Sequence, residues 1–90
     1  MAKAIVDPAE LRRFAQDLRR FNNDLDERMK ALQGRMHQLG ATWRDQEQAK
    51  FAESFEETLR VLHRFRAASE EHIPLLLRKA ERAEAYLDQR

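Results

Sequence analysis

The sequence predicts an all-α protein folded as an antiparallel helical hairpin, and three observations support this prediction. Apolar residues recur every three or four positions through two long segments, which is the spacing of one face of a helix. No segment alternates apolar and polar residues as a half-exposed strand would. The chain has 90 residues, 37% of them charged and none a cysteine, so we expect a single domain, residues 1–90, without disulfides.

Net charge and hydropathy narrow the classes of protein to which the chain can belong. The 17 basic and 16 acidic residues give a net charge of +1, so the total charge does not favour binding to nucleic acid or anionic lipid. We expect no membrane span, because no apolar run reaches about 18 residues. The N-terminus lacks the apolar region of a conventional signal peptide. We therefore expect the chain to be cytoplasmic when it is made.

The first helix is predicted over about residues 8–39. Asp7 can accept hydrogen bonds from the free amides of a first turn, and Pro8 suits the first helical position because it has no N–H to leave unpaired. Gly40 is expected to end this helix in the left-handed conformation. Between these ends the apolar residues repeat about every 3.5 positions, as in a coiled coil.

The second helix is predicted over about residues 45–88, after a turn at about 40–44. Thr42 or Asp45 can cap its start, and Pro74 is expected to kink or break it. Because a short turn joins two long helices, they must lie antiparallel and cover each other's apolar stripe. The residues predicted to form the core of the hairpin and of its dimer are Leu11, Phe14, Leu18, Phe21, Leu25, Leu32, Phe51, Phe55, Leu59, Leu62 and Phe65.

The apolar stripes are wider than one neighbouring helix can cover, so a single hairpin would expose a continuous patch. We expect two hairpins to associate as a four-helix bundle. The partner is either a second copy of the chain or a related small helical protein.

The last part of the second helix is predicted to be a C-terminal arm. A register that pairs residues whose numbers add to about 83 sets Pro8 level with residue 75. The chain beyond Pro74 would then overhang its own hairpin and pack on a partner. The apolar residues of this arm are Leu75, Leu76, Leu77, Tyr86 and Leu87.

Trp43, the only tryptophan, lies at the predicted turn, a few residues after Gly40. Two helix axes diverge at the bend of a hairpin, so the open end of the core needs a large side chain to fill it. We expect Trp43 to plug this end.

The turn Trp43-Arg44-Asp45, with Phe51 and Phe55 after it, resembles the Trp-x-Gly turn of the WXG (ESAT-like) family of bacterial type VII secretion proteins. Asp45 stands where the family has glycine. The resemblance covers nearly the whole chain, and it implies a non-enzymatic secretion substrate or co-secreted partner that leaves the cell without a conventional signal peptide. A component of the secretion machinery is then a further partner.

The same resemblance implies a C-terminal export signal, a tyrosine followed four residues later by an acidic residue. In this chain Tyr86 is followed at that spacing by Arg90, so we expect an exported partner to supply the signal.

The sequence predicts no catalytic site, no metal site and no cofactor. His63 and His72 are nine residues apart and therefore on opposite sides of a helix, and His37 lies far from both. Neighbouring acids such as Glu56 and Glu57 point about 100° apart on a helix and share no pocket.

An alternative function is RNA binding by a small dimeric helical protein. In the predicted register, Arg60, Arg64 and Arg66 lie beside Arg19 and Arg20, which would form a basic band around the middle of the hairpin. Nearby acidic residues would partly neutralise this band, so nucleic acid is the less favoured partner.

Overall fold

The structure is a computed structural model that describes residues 6–89. Helix α1, Pro8–Leu39, has 32 residues, and helix α2, Gln46–Asp88, has 43. The two helices pack side by side in opposite directions, and the molecule measures 68 × 17 × 15 Å. The prediction of an all-α helical hairpin is confirmed.

Acidic residues cap both helices. The carboxylate of Asp7 accepts a hydrogen bond of 2.9 Å from the amide of Ala9, and Asp45 accepts one of 2.9 Å from the amide of Gln48. Each satisfies a backbone N–H that has no partner within its helix. Thr42 does not cap α2: its hydroxyl donates to the carbonyl of Leu39 at 3.3 Å.

Gly40 does not adopt the left-handed conformation that we predicted, since its φ and ψ are −61° and −18°. Its N–H donates to the carbonyls of Met36 and His37, and the amides of Thr42 and Trp43 both donate to Leu39. The chain therefore leaves α1 through further right-handed turns, which require no positive φ.

The seam between the helices contains small, polar and large apolar side chains. The buried residues of α1 recur every seven positions, whereas those of α2 are ten, four and seven positions apart. Of the residues predicted as core, only Leu59 is buried within the single hairpin, and five of the others are largely exposed. The buried residues are Pro8, Ala15, Asn22 and Met29 of α1, and Leu59, Ser69, Ile73 and Ala80 of α2.

The observed register contradicts the one that we predicted. Asn22 donates to Glu70 at 3.0 Å, and Arg12 pairs with Glu84 at 2.6 Å, so facing residues have numbers that add to 92 and 96 rather than about 83. The connection between the helices is longer than the one we assumed. Right-handed turns follow Leu39, and α2 starts only after Asp45, which has an extended backbone.

This register removes the predicted overhang of the C-terminal arm. Ile73 and Ala80 are buried in the seam, and Glu84 reaches Arg12 in the second turn of α1. Helix α2 also continues through Pro74 as one helix. The proline cannot donate a hydrogen bond to the carbonyl of Glu70, but the seam contacts on both sides of it hold α2 against α1.

A polar layer interrupts the seam at mid-length. Asn22 is fully buried, and its side-chain amide donates to Glu70. Arg66 pairs with Asp26 at 2.9 Å and lies 4.0 Å from Glu70. Ser69 is buried beside them in the same turn of α2. This layer joins the two helices at one level.

Replacing Gly34 with alanine should stabilise the hairpin. Gly34 lies inside α1, and a Cβ added there meets no atom within 4 Å among the described residues. Alanine loses less backbone entropy on folding, so the free energy of unfolding should rise by about 0.5–1 kcal/mol in urea titrations. The converse control, Ala67→Gly at an exposed site of α2, should lower it by a similar amount. A loss of stability in Gly34→Ala would contradict the open surroundings of this glycine.

The ion pair between Arg12 and Glu84 should make stability depend on pH. Hydrogen bonds from Arg12 lower the pKa of Glu84 below its ordinary value of 4.5, and partial burial opposes this shift. The pair therefore stabilises the hairpin above pH 4.5, and this contribution is lost as the pH falls through the lowered pKa of Glu84. Glu84→Gln should lower the melting temperature at pH 7, and the difference from wild type should shrink toward pH 3. Glu71→Gln, at an exposed glutamate, is the control; the same shrinking difference there would contradict the assignment to Glu84.

Candidate functional site

One side of the hairpin carries an apolar face that no other part of residues 6–89 covers. Phe21 of α1 and Phe65 of α2 pack edge to face there, with ring centroids 6.1 Å apart. Large side chains of this face are between 42% and 56% exposed, among them Phe14, Phe21, Leu32, Leu39 and Phe65. The apolar face comprises Leu11, Phe14, Leu18, Phe21, Leu25, Leu32 and Leu39 of α1, and Phe51, Phe55, Leu62, Phe65 and Leu76 of α2.

Polar residues occupy the opposite side of the seam. Arg12 follows the buried Pro8 by four residues, so on a helix its side chain is rotated by about +40° from the direction of the seam. Phe14 precedes the buried Ala15 by one residue, so its side chain is rotated by about −100°. Arg12 and its partner Glu84 therefore lie on one side of the seam, and the phenylalanine lies on the other. The hairpin has one polar side and one apolar side.

A groove of about 280 Å³ opens in the apolar face near the free ends of the helices. Its walls are the rings of Phe14 and Phe65, and the small residues Ala68 and Ser69 leave space between them. The Ser69 hydroxyl is buried and has no hydrogen-bond partner within residues 6–89. The full lining is Phe14, Leu18, Phe65, Ala68, Ser69, His72 and Leu76.

At the other end, the turn holds an aromatic cluster. The rings of Trp43 and Phe51 are 5.8 Å apart, and those of Phe51 and Phe55 are 6.0 Å apart and stacked. The Arg44 guanidinium donates to the carbonyl of Gly40 at 3.2 Å, which braces the turn. Trp43 is only partly buried, so one part of its ring packs on Phe51 and another is open to solvent. The plug role of Trp43 stays a prediction.

The predicted arm residues divide between the two sides of α2. Leu76, Leu77 and Leu87 are half-buried, whereas Leu75 and Tyr86 are exposed. A role of these residues in dimerisation stays a prediction. Because this part of α2 packs on α1, deleting the whole segment would also destabilise the hairpin and would not test that role.

Acidic residues pair with three of the five arginines predicted to form a basic band in the RNA-binding alternative. The observed register sets Arg66 against Asp26 instead of against other arginines. Arg60 pairs with Glu57 at 2.7 Å and lowers the pKa of that carboxyl, and Arg20 pairs with Asp17. These arginines therefore face acidic partners, and the RNA-binding function is unsupported.

The seam residues Ala15, Asn22, Ser69 and Ala80 were not among the predicted core. Ala80 lies on the helical period of the second helix, and a seven-residue spacing links Ala15 with Asn22. Small or polar side chains give little hydrophobic periodicity. The large apolar residues beside them dominate the pattern.

Removing the Trp43 ring should destabilise the turn. The indole is only partly buried, so we expect Trp43→Ala to lower the free energy of unfolding by about 1–3 kcal/mol, less than for a fully buried tryptophan. Trp43→Phe keeps the contact with Phe51 and should lose less. Urea titration followed by circular dichroism measures both. Equal stability of Trp43→Ala and wild type would contradict a structural role and leave the indole as a docking residue.

Comparison with known proteins identifies the family. Neither helix, over residues 6–89, is long and apolar enough to cross a membrane. Searches of curated proteins and of solved structures gave no match. A family model described as "WXG100: Proteins of 100 residues with WXG" matches residues 4–86. The chain therefore belongs to the WXG100 family and is a small helical protein associated with type VII secretion.

Proposed function

We propose that this chain is a non-enzymatic partner protein of a type VII secretion system, and that its apolar face binds another helical hairpin. The single observation that carries the proposal is the exposed row of large apolar side chains on one side of the hairpin. Monomeric soluble proteins rarely expose an apolar patch of this kind, whereas a second hairpin would bury it as the core of a four-helix bundle.

Export as a folded pair is the second part of the proposal. Tyr86 is half-exposed near the end of α2, and the residue four positions later is Arg90 instead of an acid. A partner hairpin with a complete signal then carries this chain out of the cell. The turn cluster of Trp43, Phe51 and Phe55, which lies at the other end of the hairpin, is the surface available to secretion machinery.

Export should therefore depend on a partner, and one substitution should remove this dependence. We expect the wild-type chain, expressed in a host with an active type VII secretion ATPase, to reach the medium only together with a partner. Arg90→Asp creates the tyrosine-to-acid spacing and should permit export alone. The matched control Gln89→Asp places the same charge one residue too early and should not. Immunoblots of medium and cells measure this.

Two results would contradict the proposal. One is export that continues when the secretion ATPase is deleted. The other is the absence of Arg90→Asp from the medium while a known substrate of the same host is exported.

A further inference from the structure

Pro74 interrupts the backbone hydrogen bonds of α2 next to the polar layer. A proline has no N–H to donate to the carbonyl of Glu70, so the helix lacks one hydrogen bond at this turn. Ser69 precedes the turn, and its buried hydroxyl has no hydrogen-bond partner within residues 6–89. Breaking α2 here therefore costs less than breaking a regular helical turn. We call the turn from Glu70 to Pro74 the hinge, and residues 75–88 the distal segment.

The distal segment buries little of its surface against α1. Ala80 is its only buried residue, and the buried residue at the same level of α1 is Ala15. Their numbers add to 95, between the values of 92 and 96 for the facing pairs of the polar layer and of Arg12. Alanine side chains contribute little apolar area, whereas the seam beyond the hinge, toward the turn, holds the larger Met29 and Leu59. The half-buried leucines of the distal segment are Leu76, Leu77 and Leu87.

One ion pair joins the distal segment to α1. The Arg12 guanidinium donates two hydrogen bonds to the carboxylate of Glu84, one from Nε at 3.1 Å and one from Nη2 at 2.6 Å. Within residues 6–89, no other side-chain hydrogen bond connects α1 with the distal segment. The two side chains are 39% and 44% exposed, so water replaces their contact when the pair breaks and no unpaired charge is left buried.

We infer that the distal segment opens away from α1 while the rest of the hairpin stays folded. The turn from Glu70 to Pro74 acts as the hinge, and the pair of Arg12 with Glu84 acts as the latch that holds the segment closed. Opening uncovers Ala15, Ala80 and the inner sides of the leucines, an apolar surface that the closed hairpin hides. This inference goes beyond the proposed function, because opening needs no partner and is measured on the purified chain.

The polar layer is where the opening stops. Asn22 donates to Glu70, and Arg66 pairs with Asp26, so the helices are joined by polar contacts at this level. Beyond the layer, toward the turn, buried apolar side chains hold the rest of the seam together. A helix as short as the distal segment is marginally stable in water on its own, so the segment also unravels once it leaves α1.

Thiol labelling measures the opening. The chain has no cysteine, so an introduced thiol reports on its own site. Ala80→Cys places a thiol in the distal segment, and the control Ser69→Cys places one at a buried site before the hinge. Iodoacetamide should label Ala80→Cys at least about tenfold faster, after each rate is divided by that of the same variant in urea. Equal normalised rates would overturn the inference, since both thiols would then be exposed only by global unfolding.

A substitution before the hinge tests whether the opening is local. Leu59→Ala removes a buried side chain and destabilises the hairpin as a whole. It should speed the labelling of Ser69→Cys and leave that of Ala80→Cys unchanged, because opening of the distal segment keeps the contacts of Leu59 intact. An equal acceleration at both thiols would show that the two sites open together, and would overturn the inference.

Two further substitutions test the latch and the hinge. In the Ala80→Cys background, Glu84→Gln should speed labelling by about two- to fivefold, the range expected from an exposed ion pair. Glu81→Gln removes the same charge from a residue that has no hydrogen bond to α1 within residues 6–89, and should change the rate much less. Pro74→Ala restores the backbone hydrogen bond and should slow labelling. A rate that neither Glu84→Gln nor Pro74→Ala changes would overturn the assignment of latch and hinge.

Trypsin tests the unaltered chain. The distal segment has cleavage sites at Arg78, Lys79 and Arg82, and the part of α2 before the hinge has an exposed site at Arg64. Proteases cut segments that open locally, so mass spectrometry of a brief digest should find the first cuts of α2 in the distal segment. First cuts at Arg64 would overturn the inference.

Discussion

The close packing of α1 on α2 along one narrow seam decides where most of the large apolar residues lie. Two helices in a hairpin can bury only one stripe of each other. In this chain that stripe combines small and polar residues with a few large ones. It consists of Pro8, Ala15, Asn22 and Met29 of α1, and Leu59, Ser69, Ile73 and Ala80 of α2. The phenylalanines and most leucines lie to one side of the seam, where no other part of residues 6–89 covers them.

The polar layer gives this seam its register. Asn22 is fully buried and bonded to Glu70, and Arg66 bonds to Asp26 across the helices. A shift of one helix along the other would separate these pairs and leave buried polar groups without partners, which costs more than the bonds themselves contribute. Even in the observed register the side-chain Oδ1 of Asn22 and Oγ of Ser69 have no partner within residues 6–89. The hairpin thus gives up some stability in its seam and gains a defined alignment of its apolar face.

Alignment matters because the apolar face combines residues from both helices. Phe21 meets Phe65, and the groove uses Phe14 and Leu18 from α1 together with Ala68 and Leu76 from α2. None of these arrangements would survive a change of register by one heptad. The proposed binding of a second hairpin therefore depends on contacts of the polar side, which the second hairpin would not touch.

The sequence by itself determined the two helices, their caps at Asp7 and Asp45, and the presence of an apolar surplus, because these follow from local spacing and from side chains that bond to nearby amides. The Trp43-Arg44-Asp45 turn likewise indicated the family before the fold was known.

Only the tertiary structure decided the register of the two helices. The length of the turn along the hairpin axis depends on the backbone conformations from Gly40 to Asp45, and several residue types can adopt these conformations. It also decided which apolar residues lie inside. Periodicity gives the direction of the largest side chains. The close approach of the two helices places the small residues Ala15 and Ala80 in the seam as well, beside Met29 and Ile73.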